Sequence, residues 1–121
     1  MVCLSVYCLG LTDAEADTTE KYHWCNQEML TAGTSAFYDM VEIRDYTVHK
    51  TYEFGFNSNV TYQGFFAQAS CHTPMSPEDC VRCLGYADDK LYELCNFAVG
   101  GQITQADCRL RYELYNFDNN W

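Results

Sequence analysis

Cysteine is the most reactive chemistry this chain offers, with eight in 121 residues. Five of them fall within 71–113, spaced C-x8-C-x2-C-x11-C-x12-C at Cys71, Cys80, Cys83, Cys95 and Cys108. Thiols at this density can be oxidised in pairs, can hold zinc or can cycle between redox states. A zinc ribbon or finger needs two paired half-sites. Here Cys80-Val81-Arg82-Cys83 is a lone C-x2-C, and His23, His49 and His72 are scattered. A thioredoxin-like C-x2-C would accompany a βαβ pattern, which is missing. Oxidation to disulfides is the remaining chemistry, and it belongs to an oxidising compartment. No nucleophile is paired with a base, no metal set is spaced for ligation and no phosphate loop appears. The expectation is a protein that is not an enzyme and has no cofactor. Asp88 and Asp89 read as solvated charge on a helix surface.

The elements that must place these sulfurs follow from the pattern around them. Ser76 can cap a helix, Pro77 suits its first position, and Glu78 and Asp79 put negative charge in its first turn. Cys80, Cys83, Leu84, Ala87, Leu91 and Leu94 then recur at steps of three and four, one apolar helix face. Cys71 is placed in the loop before this helix and Cys108 in the strand after it. An earlier helix is predicted over 34–49, capped by Thr34 or Ser35 and facing inward with Phe37, Met40, Val41 and Arg44. The aromatic and β-branched run Tyr46-Thr47-Val48 leaves its end open. Over 51–70 aromatic and small residues alternate, and Gly55, Asn57 and Ser58 supply turn chemistry, so a hairpin with its loop at 57–60 is predicted. Asn59-Val60-Thr61 places an N-glycosylation sequon on that loop.

Segments 21–27, 98–105 and 107–117 read as strands. In the last, Cys108, Leu110, Tyr112 and Leu114 alternate with Arg109, Arg111, Glu113 and Tyr115, one buried face and one wetter one. The many Tyr and Phe residues, at alternating spacing, read as core. The tail 118–121 is expected to fray. The sum is an α+β domain, two helices against one antiparallel sheet.

A net charge of −10 argues against nucleic acid and against anionic membrane surfaces, which need a basic footprint. No stretch is long enough to span a membrane. Residues 1–16 run from a short apolar segment to Ala14-Glu15-Ala16, like the end of a secretion signal. The expected division is a signal remnant over 1–16 and a domain over 17–121. The alternative is an N-terminal strand with a Cys3–Cys8 bridge.

The cysteine frame and the run GGQITQADCRLRYELYNF closely resemble the ginkbilobin-homologous domain of land plants, also called the stress-antifungal or cysteine-rich secretory-repeat domain. The resemblance covers about 21–117. It implies two helices on a five-stranded antiparallel sheet and the pairings Cys25–Cys95, Cys71–Cys80 and Cys83–Cys108. Lectin-like members of this family bind mannose with three side chains, which fall here at Asn26, Gln102 and Glu113. The second is Arg or Lys in the family pattern. Replacing a charged donor, worth about 1.5–3 kcal/mol, by a neutral one at about 0.5–1.5 is a large loss. A millimolar sugar complex holds only about 4 kcal/mol in all. Each position also has a local reading: a turn at Asn26, an ordinary strand residue at Gln102, and an ion pair of Glu113 with Arg111 or Arg109. The resemblance implies a secreted, apoplastic defence or stress module, lectin-like, antifungal and binding mannose-type glycans. Its alternative is an extracellular protein-interaction domain that has lost sugar binding, as in cysteine-rich receptor kinases and plasmodesmal proteins.

Overall fold

A computed structural model describes residues 16–117. The segment 1–15, with Cys3 and Cys8, and the tail 118–121 lie outside the described residues. Chain order is β1 (Glu20–Cys25), α1 (Ser35–Lys50), a 3-10 turn (Thr51–Phe54), β2 (Asn57–Tyr62), β3 (Phe65–Cys71), α2 (Pro77–Cys95), β4 (Gly101–Gln105) and β5 (Cys108–Glu113). The strands form one antiparallel sheet in the order β1-β4-β5-β3-β2. Both helices pack on one face of it, giving the expected α+β architecture. The chain is bonded into the fold from Asp17, whose carbonyl accepts from the Asp107 amide at 3.0 Å. Among the described residues no helix is long and apolar enough to cross a membrane.

Helix α2 begins as its sequence dictates, with the Ser76 hydroxyl accepting from the Asp79 amide at 3.1 Å and Pro77 in the first turn. Its inner stripe is Cys80, Cys83, Leu84, Ala87 and Leu91, all fully buried. Leu94 departs from the predicted stripe and is exposed, because Cys95 takes the inward place at the last turn. Each of the three disulfides described has one end on α2: Cys80 with Cys71, Cys83 with Cys108 and Cys95 with Cys25. Cys71 is the last residue of β3 rather than part of a loop.

Helix α1 is capped by Thr34, whose hydroxyl accepts from the Phe37 amide at 3.3 Å. It buries Met40, Ile43, Arg44, Thr47 and Val48, while Phe37 and Val41 remain half-buried. The β-branched tail does not end the helix. Thr47 donates to the Ile43 carbonyl and Thr51 to the Thr47 carbonyl, so their hydroxyls are satisfied within it.

The predicted loop at 57–60 is instead strand β2. Gly55 and Phe56, with φ of 75° and 67°, close the 3-10 turn. The hairpin reverses at Gln63-Gly64, where φ is 51° and 84°. A two-residue type I′ turn needs two such left-handed positions, and Gln63 and Gly64 supply them between the paired Tyr62 and Phe65. The sequon at Asn59 therefore sits on an edge strand.

Between the helices lies a fully buried Arg44. Its guanidinium stands over the Tyr92 ring at 3.7 Å and the Tyr112 ring at 4.4 Å. Nε donates to Asp88 Oδ1 at 2.7 Å and a terminal nitrogen to the Asp88 carbonyl at 3.2 Å. Asp88 is thus not the solvated surface charge its sequence suggested, because its partner arrives from a helix 44 residues away. Burial pushes its carboxyl above the ordinary carboxylate range, against the opposing pull of Arg44. Tyr112, buried beneath the same guanidinium, is pushed up to about 12 and donates to the Ala98 carbonyl at 2.7 Å.

Truncating one partner of a buried ion pair strands the other charge, at a cost of about 3–5 kcal/mol. Asp88→Ala should lose that much in urea unfolding. The apolar double variant Arg44→Met with Asp88→Leu should lose clearly less than the single one.

Candidate binding site on the open sheet face

The face of the sheet away from the helices is built by antiparallel register. Gly101, Ile103, Leu110, Tyr112, Ala67 and Ala69 alternate inward and are buried. The residues between them point the other way. Trp24, Gln102, Arg111, Gln68 and Asn59 form one row across all five strands. Tyr22, Thr104, Arg109, Ser70 and Asn57 form the next.

The three sugar positions meet at one end of this face, around Gly100. The Asn26 amide donates to the Gly100 carbonyl at 2.9 Å. Gln102 follows two residues on in β4, half-exposed between Trp24 and Arg111. The Glu113 carboxylate occupies the space a Cβ on Gly100 would take, with its Cδ 2.9 Å from that point. This is why residue 100 must be glycine.

Their chemical state differs from what a sugar site asks. Asn26 Oδ1 is engaged locally, accepting from the Glu28 amide at 2.8 Å, so the simple turn anticipated for it is present. Glu113 was placed on the wetter face of β5 and does point there, yet it is fully buried. Arg111, two residues earlier and so on the same face, pairs with it. Arg111 Nε donates to Glu113 Oε2 at 2.9 Å, its terminal nitrogen donates to the Tyr115 hydroxyl at 3.0 Å, and its guanidinium lies 4.2 Å from the Phe117 ring. Glu113 Oε1 finds no hydrogen-bond partner in the protein among the described residues. Burial raises the Glu113 pKa above its ordinary value, and the Arg111 hydrogen bond and charge pull it back only in part.

Sequence reasoning named the pair but missed that its carboxylate is buried. The signal was the two-residue spacing within Arg111-Tyr112-Glu113, which puts both charges on one face of a strand. It also missed the aromatic rim. Tyr22, Trp24 and Tyr115 are 52%, 41% and 49% exposed, not core. Tyr22 and Trp24 lie on the edge strand β1, where no residue is buried, and Tyr115 follows the end of β5. Among the described residues no cluster of His, Cys, Asp and Glu is arranged to hold a metal ion.

Comparison with known proteins agrees with this architecture. A family model described as salt stress response/antifungal matches residues 8–115. Putative cysteine-rich repeat secretory protein 24 of Arabidopsis thaliana is 38% identical over 55 residues, 46% of this chain and 21% of that protein. Antifungal protein ginkbilobin-2 of Ginkgo biloba is 31% identical over 52 residues, 43% of this chain and 39% of that protein. The match therefore spans well under two thirds of these two relatives. Antifungal protein ginkbilobin-like protein of Picea abies is 24% identical over 102 residues, 77% of this chain and 91% of that protein. Among solved structures, the tandem DUF26 ectodomain of the Arabidopsis thaliana cysteine-rich receptor-like protein PDLP8 superposes with a TM-score of 0.73. The identity is 23%, over 83% of this chain and 47% of that one. The ectodomain of PDLP5 gives 0.75 at 17% identity, over 82% and 51%. At these identities the two structures speak for the fold.

Two measurements test the sealed corner. Gly100→Ala should drive a methyl group into the Glu113 carboxylate and cost about 1–3 kcal/mol, the usual range for overpacking. A carboxyl raised by folding binds its proton more tightly in the native state. Its contribution is full below the ordinary value of 4.5 and is lost as pH rises through the folded pKa. Wild type should therefore gain stability relative to Glu113→Gln as pH falls from 7 to about 4. The opposite slope in thermal unfolding would mean that Arg111 outweighs burial.

Proposed function

The chain belongs to the salt stress response/antifungal family, and from that we propose that it is an extracellular recognition module that engages a protein partner through the open face of its sheet. The sealed state of Glu113 carries this reading. A mannose hydroxyl would need the carboxylate as acceptor, and Arg111 already holds it beneath the surface. The basic residue of the lectin pattern is the neutral Gln102, and Asn26 is turned to its own loop. Exposed on or beside this face are the aromatic rings of Trp24, Tyr22 and Tyr115, next to Arg111. Aromatic and arginine side chains of this kind are enriched where proteins meet. The net charge of −10 favours a partner with a basic surface and an association that weakens with salt. Recognition rather than catalysis is the activity we assign, in the stress or antifungal setting that names the family.

A second reading, binding of a mannose-type glycan, has one observation in its favour. Asn26, Gln102 and Glu113 converge on Gly100 although they come from three separate segments. In this reading Arg111 would swing aside to release the carboxylate, whose unpartnered Oε1 could then take a sugar hydroxyl.

Titration with about 10 mM mannose, followed by amide NMR, separates the two, since a millimolar complex corresponds to about 4 kcal/mol. The expected result is no saturable shift at Asn26, Gln102 or Glu113, for wild type and for Gln102→Arg alike. A saturable shift in either would replace the protein-binding reading by the glycan one. Trp24→Ser with Tyr115→Ser should abolish partner capture from extracellular fluid, and mannose should not compete with it.

A further inference from the structure

Strand β2 ends the sheet on the side opposite β1, and β3 is its one neighbour. The residues that flank a two-residue turn form a hydrogen-bonded pair, here Tyr62 and Phe65. Pairs alternate along an antiparallel ladder, so Val60 and Ser58 also turn their backbone groups toward β3. The amides and carbonyls of Asn59 and Thr61 then face outward along the free edge. Such an edge invites pairing with another chain unless charge, proline or a covering element guards it. The other edge strand, EKYHWC, carries Glu20, Lys21 and His23, whereas β2, NSNVTY, has no charge and no proline.

The same residues spell the sequon Asn59-Val60-Thr61. Asn59 and Thr61 are both exposed and stand side by side on the open face. The strand is anchored from below: Ser58 is 5% exposed and 2.8 Å from the Thr51 hydroxyl, and Val60 packs toward α1. The direction of the Asn59 side chain is therefore fixed outward, and a group attached to it would displace nothing packed.

We propose that Asn59 carries an N-linked glycan and that this glycan guards the β2 edge against strand-to-strand association. In the transfer, Asn59 Nδ2 bonds to the anomeric carbon of a lipid-diphosphate-linked oligosaccharide. The bond from that carbon to the diphosphate breaks, the lipid diphosphate leaves, and the amide gives up one proton. The inference rests on the extracellular reading, because this donor is met in the secretory pathway.

The full chain, fused behind a heterologous secretion leader, is expressed in eukaryotic cells, so that reaching the lumen does not depend on its natural location. Glycopeptide mass spectrometry should find Asn59 occupied in wild type and bare in both Asn59→Gln and Thr61→Ala. A secreted, disulfide-bonded wild type with Asn59 bare overturns the site while leaving the proposed function standing. By light scattering, both glycan-free variants should associate at concentrations where glycosylated wild type is monomeric. Adding Asn57→Lys to Asn59→Gln should restore the monomer. Glycan-free variants that stay monomeric overturn the guarding role. Location is tested apart from this, by fractionating the native tissue.

Discussion

One helix carries a cysteine of each described disulfide, and three of the five strands are tied to it by those bonds. Cys80 and Cys83 leave α2 from one face and reach β3 and β5, which are neighbours in the sheet. Cys95 lies fifteen residues beyond Cys80, about 22 Å along a helix. It reaches β1, three strand spacings from β3, about 14 Å across the sheet. A helix meeting both ends must run obliquely over the strands. The bridge from Cys25 to Cys95 spans 70 residues, and in the chain-entropy model a closure of that size contributes about 4.4 kcal/mol. The Cys71–Cys80 bridge, spanning 9, contributes about 2.6 kcal/mol in the same model. For a domain this small, such constraints stand in for part of the apolar core that a longer chain would bury.

The second organising feature is polar. Arg44 is surrounded by two rings and one carboxylate, so the helices are joined by a contact with a defined geometry rather than by apolar surface alone. It also stands against the strand that carries the candidate site. Along β5, Arg111 and Glu113 turn to the open face and close on one another. Tyr112 between them turns inward beneath Arg44. Three consecutive residues thus serve the core and the candidate site at once.

Much of this was legible in the residues. Ser76-Pro77 announced α2 because the cap and the first-turn proline are local signals, and the α+β class followed from two helical periods among alternating strands. The disulfide pairing came from family resemblance, since spacing alone cannot choose partners. What escaped the sequence was set by distance or by competition between similar signals. Gly55, Asn57 and Ser58 carry turn chemistry, yet the hairpin reverses at Gln63-Gly64, where glutamine is an unremarkable residue to read. Asp88 looked solvated because nothing near it in sequence reveals Arg44. At the candidate site the three positions were identified by resemblance. Their state was not, because Glu113 packs against Gly100, which lies just before β4 and thirteen residues away in sequence.

The six cysteines described are not equally buried. Cys71, Cys80, Cys83, Cys95 and Cys108 are buried, whereas Cys25 is partly exposed at the end of an edge strand. Thiol–disulfide exchange requires an attacking thiolate to approach a sulfur directly. Of the three described bonds, Cys25–Cys95 is the one with a partly exposed cysteine. Its scission would leave β1 attached by its ladder to β4, while the other two bonds still hold β3 and β5 to the helix. The bond with the one partly exposed cysteine is thus the one that ties down the edge strand bearing Trp24.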